Sequence, residues 1–288
     1  MNVQTLKRIV PRRLWPALGV TRRWLRTIPV RVERQKRRLL SDPKLSAGER
    51  ELLGKVSSRV YHNDGMYHGD GRHYFKVGLS AIAGIDEALA AAGLPDPRAI
   101  LDFPCGSGRV LRFMAQRFPK AEITACELDR GPVEFCVRTF GARPAFSSLD
   151  LDEVSLDRKF DLIWCGSLVT HLDDEGIVAL LKLFKRHLAA GGLMIFTTHG
   201  DFVERRIPAR EFDYGLSETQ IELIGAGYPA TGYGFAPYSD DQDDYGVSLT
   251  SPTWIRARVA ELGGLREVYF KERGWDRHQD VFGFVSES

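Results

Sequence analysis

Between residues 97 and 200 the apolar positions keep two alternating rhythms. Short apolar runs at Ala99–Phe103, Glu122–Cys126, Phe160–Cys165 and Leu193–Thr198 read as strands, with a weaker one at Pro144–Ser147. The segments between them, Arg109–Phe118, Gly131–Arg138 and Asp173–Leu188, space their apolar residues at the helical period. Gly191-Gly192 reads as the stop of the last of these helices. Strands alternating with helices of this length predict βαβ units and a parallel sheet.

The flanks follow other patterns. Ser46 and Glu49 fit a capping box, which predicts a helix from there to about Val60. Tyr61–Tyr74, with three glycines and three tyrosines, reads as a long ordered loop, and Phe75–Ala92 as a helix with Val77, Ile82, Ile85 and Leu89 on one face. After His199 the regularity falls: residues 200–250 are rich in Gly, Tyr and Asp and read as an insertion. Ser251-Pro252 opens a helix to about Leu262, and Leu265–Lys271 with Val281–Val285 predict a closing antiparallel pair. The resulting division is 1–44, a basic arm; 45–96, a helical cap with an aromatic loop; and 97–288, an α/β domain with an insertion at about 200–250.

Charge sharpens this division. Residues 1–40 hold twelve Lys and Arg against Glu33 alone, so a chain of net charge +2 is a strongly basic arm on a body nine units negative. The arm interleaves Trp15 and Trp24 with its arginines, and three readings stand: docking on an anionic membrane surface, binding to nucleic acid as the weaker reading, or a solvated arm resting on the acidic body or a second subunit. No apolar run reaches the length of a membrane span, and Leu14–Val20, broken by Pro16 and Gly19, does not fit a secretion signal. The four cysteines, Cys105, Cys126, Cys136 and Cys165, contain no C-x-x-C pair. They read as reduced thiols of a cytoplasmic protein rather than as a zinc or redox motif.

The chemistry concentrates at Leu101-Asp102-Phe103-Pro104-Cys105-Gly106-Ser107-Gly108-Arg109, between the first strand and its helix. Glycines there permit a sharp turn and a close approach of backbone to ligand. Glu127 ends the second strand 21 residues after Gly106, where a carboxylate can accept from two ribose hydroxyls. A dinucleotide fingerprint would need a third glycine at the position held by Leu111.

Taken in order, LDFPCGSGR, ITACELD, FDLIWCGSLVTHL and LAAGGLMIFTTHG resemble the class I S-adenosylmethionine-dependent methyltransferases over residues 97–200. SLVTHL, TTHG and WDRHQD further resemble bacterial methyltransferases of surface-glycan pathways. The resemblance implies a Rossmann-like, mostly parallel sheet with an antiparallel C-terminal strand, and S-adenosylmethionine as cofactor. It implies that Asp102 orients the loop and the methionine amino group. Cys105, Gly106 and Gly108 line the cofactor, Glu127 binds the ribose, Leu128 lies against the adenine, and Leu149 or Asp150 sits near the adenine amino group. Cys165 and Gly166 flank the sulfonium. Pro104 departs from the family, which usually has glycine there; proline cannot take positive φ and lacks an N–H.

No N/D-P-P-Y/F follows the fourth strand, where Cys165-Gly166-Ser167-Leu168 stands, and no cysteine pair suits a C5-pyrimidine mechanism. An oxygen acceptor, on a sugar or glycan intermediate, is the expectation. A hydroxyl acceptor gains from a general base. His171, His199 and His278 are the candidates, although His171 also suits a helix cap, His199 a loop hydrogen-bonder and His278 a polar turn. The tyrosines of the Tyr61–Tyr74 loop and of the insertion are expected over the two sides of the pocket. Asp240, Asp241, Asp243 and Asp244 read as solvated acids, and no metal site is expected.

Overall fold

The computed structural model describes residues 27–211, 214–239 and 242–287. The chain divides into two units, Met1–Lys76 and Val77–Ser288. Most of the basic arm, including Trp15 and Trp24, lies outside the described residues.

In the first unit, Pro29–Leu40 forms helix α1 and Ala47–Lys55 helix α2. Pro29 opens α1, where a missing N–H costs nothing. α1 buries Val32, Leu39 and also Lys36, whose ammonium is satisfied by the carbonyl of Val56 at 2.7 Å. The predicted capping box of Ser46 and Glu49 is present, but α2 stops at Lys55 because Val56 turns extended. Gln35 ties down the aromatic loop: its Oε1 accepts from Tyr67 Oη (2.6 Å) and Gly71 N (3.1 Å), and its Nε2 donates to Gly69 O (2.8 Å). Asp42 is paired with Arg72 and Lys76, whose hydrogen bonds hold its carboxyl well below the usual range. The helix expected from Phe75 begins earlier, at Gly71, and runs as α3 to Ala92.

The second unit is built on one seven-stranded sheet. Its strands are β1 Ala99–Asp102, β2 Glu122–Glu127, β3 Arg143–Phe146, β4 Phe160–Cys165, β5 Leu188–Thr198, β8 Leu265–Trp275 and β9 Gln279–Ser286, in the order β3-β2-β1-β4-β5-β9-β8. The first five run parallel, β9 pairs antiparallel with β5, and β8 closes the edge antiparallel to β9. This is the expected Rossmann-like sheet. β1 is buried at every position, as a central strand covered on both faces requires. Helices α4 Leu111–Arg117, α5 Arg130–Phe140, α6 Asp174–His187 and α9 Pro252–Leu262 lie between the strands in sequence.

Helix α6 shows how the pattern becomes structure. Asp173 caps its first turn through Gly176 N at 2.7 Å, Lys185, Arg186 and His187 complement its last turn, and Ile177, Leu180, Leu181 and Phe184 are fully buried. The expected stop at Gly191-Gly192 falls elsewhere. The helix ends at His187, and both glycines belong to β5, whose register against β4 shifts between Phe160 and Leu162.

The insertion is not irregular. A short turn of helix α7 (Asp201–Glu204), helix α8 (Glu218–Thr231) and a two-stranded sheet of β6 (Tyr233–Ser239) and β7 (Gln242–Thr250) enclose a core of their own around Val203, Ile224, Ala236, Val247 and Leu249. Its glycines serve close approach: a side chain at Gly227 would come within 2.7 Å of the Tyr233 carbonyl, and one at Gly234 would strike that of Ile224.

Phe184 is fully buried and meets Phe103 edge-on at 5.6 Å, joining α6 to the start of the loop after β1. Phe184→Ala is expected to lower stability by about 3–5 kcal/mol through the lost transfer energy and the cavity left behind. Urea unfolding should show a lower midpoint at an unchanged slope.

Candidate functional site

Parallel strands end on one side of the sheet, and their carboxyl ends leave backbone groups and loops free for a ligand. β1 ends there at Asp102, which is 1% exposed and whose Oδ2 has no hydrogen-bond partner among the described residues. Burial pushes this carboxyl well above its usual range, the neighbouring charge of Glu127 adds to the effect, and Arg109 opposes it. An unpartnered carboxylate so deep calls for a cation or a donor from a ligand.

The chain then turns through residues 103–109. Phe103 N donates to Trp164 O (3.0 Å), Cys105 N to Cys126 O (2.9 Å) and Gly106 N to Glu127 Oε2 (3.0 Å). Pro104 stands between donors that are all used, so its missing N–H leaves these ties intact; its peptide bond with Phe103 is cis. Gly106, at φ +47°, has open space where a side chain would be. Gly108, at φ +74°, is the opposite case: a Cβ would fall 2.6 Å from the Phe140 ring and 3.0 Å from Cys136 Sγ. Buried Arg112 holds the far side of the turn through Gly108 O (2.9 Å) and Ser107 O (3.4 Å).

Half-buried Glu127 accepts Gly106 N on one oxygen and Leu128 N on the other at 2.8 Å. Each oxygen keeps a second lone pair for a ligand hydroxyl. Burial raises this carboxyl somewhat, and the two backbone donors pull it back. Leu128 and Leu149 are 48% and 78% exposed, apolar surface beside this carboxylate or on the loop after β3. Asp150 is also exposed, its Oδ1 capping Asp152 N at 2.9 Å.

At the end of β4, Cys165 buries its thiol in the main core, so only its backbone can face a ligand. Gly166 is covered on its side-chain face by Trp275, since a Cβ there would lie 2.8 Å from the indole. Trp275 stands edge-on to Trp164, has Arg109 over its ring at 5.4 Å and donates its indole N–H to Val77 O at 3.0 Å. Ser167 follows in the left-handed region at φ +68°. Its strain is held by a closed set of bonds: Ser167 N donates to Thr197 Oγ1 (2.8 Å), which donates to Gln279 Oε1 (2.6 Å), while Gln279 Nε2 donates to Ser167 Oγ (2.7 Å).

The three histidines all reach this edge. His171 lies on a 3-10 turn after β4 and is joined to the insertion: its Nδ1 is 3.0 Å from the Gly246 carbonyl and 2.9 Å from Tyr238 Oη, and its ring stacks on Tyr245 at 5.4 Å. A carbonyl can only accept, so Nδ1 carries the proton and Nε2 keeps a lone pair. His199, 1% exposed, places Nε2 3.1 Å from Tyr214 Oη, and the same phenol lies 2.5 Å from His278 Nε2. Burial lowers all three imidazoles, most strongly His199, so the neutral form prevails at neutral pH.

Ring contacts gather these groups: Tyr238 and Tyr245 stand against His171 at 5.8 Å and 5.4 Å, and Tyr214 and His278 against His199 at 4.9 Å and 5.5 Å. The insertion supplies Tyr214, Tyr238 and Tyr245 to these contacts. The Tyr61–Tyr74 loop lies within the first unit, with partners there. Tyr214, Ser167 and Thr197 escape sequence reasoning as site residues, whereas Trp275 belongs to the WDRHQD segment singled out in the sequence. Asp240 and Asp241 lie outside the described residues, and among the described residues no cluster of three metal-binding side chains occurs. No helix among them is long and apolar enough to cross a membrane.

Residues 100–192 match the family described as "Methyltransferase domain". A malonyl-[acyl-carrier protein] O-methyltransferase of Priestia megaterium is 33% identical over 111 residues, covering 36% of this chain and 37% of that protein. A trans-aconitate 2-methyltransferase of Methylobacterium radiotolerans is 32% identical over 108 residues, covering 38% and 40%. The chain thus spans well under two thirds of the length of these curated relatives. Among solved structures, the sugar N-methyltransferase KedS8 from Streptoalloteichus superposes with a TM-score of 0.53 at 17% identity, over 77% of this chain and 91% of that one. CalS10, an amino pentose methyltransferase from Micromonospora echinaspora, gives 0.51 at 19%, over 73% and 91%.

Asp280, at the start of β9, is 2% exposed and accepts Arg273 N at 2.8 Å. Burial pushes its carboxyl up to about 6 against an ordinary 3.8. A raised carboxyl favours the fold fully below its unfolded value and loses that contribution as pH rises through the folded value. Asp280→Asn is therefore expected to gain on the parent between about pH 4 and pH 7, by up to about 3 kcal/mol. Urea midpoints at the two pH values check this; a constant difference would remove the assignment.

Proposed function

We propose that this chain, which carries the fold and the core domain of the class I S-adenosylmethionine-dependent methyltransferases, transfers a methyl group from S-adenosylmethionine to an acceptor hydroxyl, on a sugar or glycan intermediate held along the histidine wall. The observation that carries this reading is the pairing of an unpartnered buried carboxylate, Asp102, with Glu127 beneath the open backbone of Gly106, inside a matched methyltransferase domain.

The residues fit the cofactor. Asp102 offers a desolvated anion to the methionine ammonium, which would relieve the cost of its burial. Glu127 offers a free lone pair on each oxygen to the ribose, and Gly106 lets the backbone come close. Leu128 and Leu149 would lose their exposure against the adenine, with Asp150 beside them. S-adenosylmethionine supplies the electrophilic methyl group; the protein aligns the acceptor lone pair and keeps bulk water out.

For the acceptor, an oxygen nucleophile is supported by the O-methyltransferase names of the curated relatives and by three neutral imidazoles at the site. His171 is assigned as the base. Its Nδ1–H is spent on Gly246, leaving Nε2 to take the hydroxyl proton. Tyr214, shared by His199 and His278, donates to one imidazole and accepts from the other, which orients hydroxyls along the wall. Flat tyrosine faces with polar tips suit a sugar. Membrane docking through residues 1–40 remains part of this reading, since it would bring the enzyme to lipid-linked intermediates.

Calorimetric titration with S-adenosylhomocysteine should give micromolar binding, lost in Glu127→Ala. His171→Gln should keep that affinity within about threefold while turnover on an accepted sugar falls about 100-fold. The acid limb of the parent's rate profile should lie below 6.5, because burial lowers this imidazole, and it should vanish in the variant. Tight cofactor binding together with unchanged turnover in His171→Gln would remove the base assignment.

A further inference from the structure

The acceptor wall does not end at His278. The next side chain along it is Phe202, edge-on to the His278 ring at 5.9 Å and 7% exposed. The guanidinium carbons of Arg206 and Arg273 lie 3.9 Å and 3.8 Å from the centroid of this one ring. Two guanidiniums that close cannot share a face, so Phe202 is sandwiched between them. Stacking fixes their planes without using their N–H edges.

The turn that carries Arg273 is over-determined. Arg273, Asp276 and Arg277 all hold positive φ, at 53°, 52° and 57°. Asp280 accepts Arg273 N, Arg277 O accepts Arg273 Nε at 3.0 Å, Ser80 Oγ accepts Asp276 N at 2.9 Å, and Trp275 O accepts His278 N at 3.0 Å. Three strained residues in five, each tied to a neighbour, mark a backbone shaped to present side chains rather than merely to reverse direction.

Nearby carboxylates are largely committed elsewhere. Asp201 accepts from Tyr228 Oη at 2.5 Å, Glu272 lies 3.9 Å from Arg205, and Asp280 is pushed toward neutrality by burial. Glu211 is the exception: it pairs with Arg206 Nε at 2.8 Å, on one edge of the guanidinium, and leaves the terminal N–H groups for an anion. Asp276 and Glu204 are the other acids nearby. Among the described residues, neither Arg273 nor Arg277 has an ion pair. Both Arg206 and Arg273 act on His278 as like charges.

We propose that Arg206 and Arg273, clamped on the two faces of Phe202 beside the Tyr214–His278 pair, form a subsite for an anionic group, carboxylate or phosphate, on the methyl acceptor. The acceptor is then an acidic molecule, a uronic-type acid or a phosphorylated or nucleotide-linked sugar, with its anion at the arginines and its reacting hydroxyl toward His171. This rests on the methyl-transfer reading for the word acceptor but not for the anion site itself.

The test uses the full chain with and without S-adenosylhomocysteine. Inorganic phosphate, pyrophosphate and malonate are titrated calorimetrically at low ionic strength into the parent, Arg206→Gln, Arg273→Gln, the double variant, and Arg205→Gln as a neighbouring surface control. The expectation is that the parent binds at least one of these anions and that the double variant weakens it about tenfold or more, the loss of two charge-assisted contacts. Arg205→Gln should stay within about twofold. Arg273→Lys, which keeps the charge and loses the fork, should fall between parent and Arg273→Gln. Preference for phosphates or for malonate names the chemistry of the anion. Failure of every anion to bind the parent, or equal binding by the double variant, overturns the subsite. Anion binding that is lost in the double variant without any S-adenosylhomocysteine binding would instead keep the subsite and overturn the methyl-transfer reading.

Discussion

The site depends on one carboxylate holding two backbone N–H groups. Glu127, at the end of β2, accepts from Gly106 in the loop after β1 and from Leu128 just after its own strand. The first bond brings the glycine loop against the neighbouring strand end. The second fixes the carboxylate's plane. Gly108 closes the other side, because the contact of the turn with Phe140 and Cys136 leaves no room for a side chain. With Arg112 buried against the Ser107 and Gly108 carbonyls, the loop has little freedom left. That is why Pro104 is tolerated: the loop's shape comes from bonds at residues 103, 105, 106 and 108, none of which proline removes.

The same economy governs the acceptor side. Parallel strands leave open carboxyl ends, but β9 runs the other way beside β5, so the turn before it arrives at that edge with Trp275, His278, Gln279 and Asp280. Gln279 then reaches Ser167 at the end of β4 and Thr197 near the end of β5. The start of β9 thus couples the ends of β4 and β5 by side-chain hydrogen bonds, while Trp275 at the end of β8 covers Gly166. The insertion completes the wall from the opposite flank through Tyr214, Tyr238 and Tyr245.

The sheet was legible because its central strands are buried on both faces and its helices on one, and these two constraints leave different periods in the sequence. Phe160–Cys165 is observed at the predicted bounds, and α6 differs from its prediction by a residue at each end. Glu127 was legible as a candidate because an acid that binds a ribose is expected at about that distance from a glycine loop. The insertion was not, because its regularity rests on backbone contact: Gly227 and Gly234 let α8 lie against β6, and in sequence such glycines look like loop. Its capping box, Ser217 with Gln220, and the left-handed Gly232 that ends α8 were the available signals. Tyr214 left no trace, since its role depends on His199 and His278, which are separated from it and from each other in sequence and meet only through the fold.

That meeting bears on which histidine can serve as base. His199 is the most buried, and an imidazolium there would have to form beside His278 and without solvent, so its protonated state is the costliest of the three. His278 already shares a phenol proton and stands near two guanidiniums, each of which opposes a second positive charge. His171 shares the cost of burial but, among the described residues, has no guanidinium beside it. Its neighbours are Gly246 O and two tyrosines, burial is opposed there by a hydrogen bond that favours the cation, and its Nε2 is uncommitted among the described residues. A base must bind the proton it removes, if only briefly, and among the three imidazoles at this edge His171 is the one whose surroundings charge least for doing so.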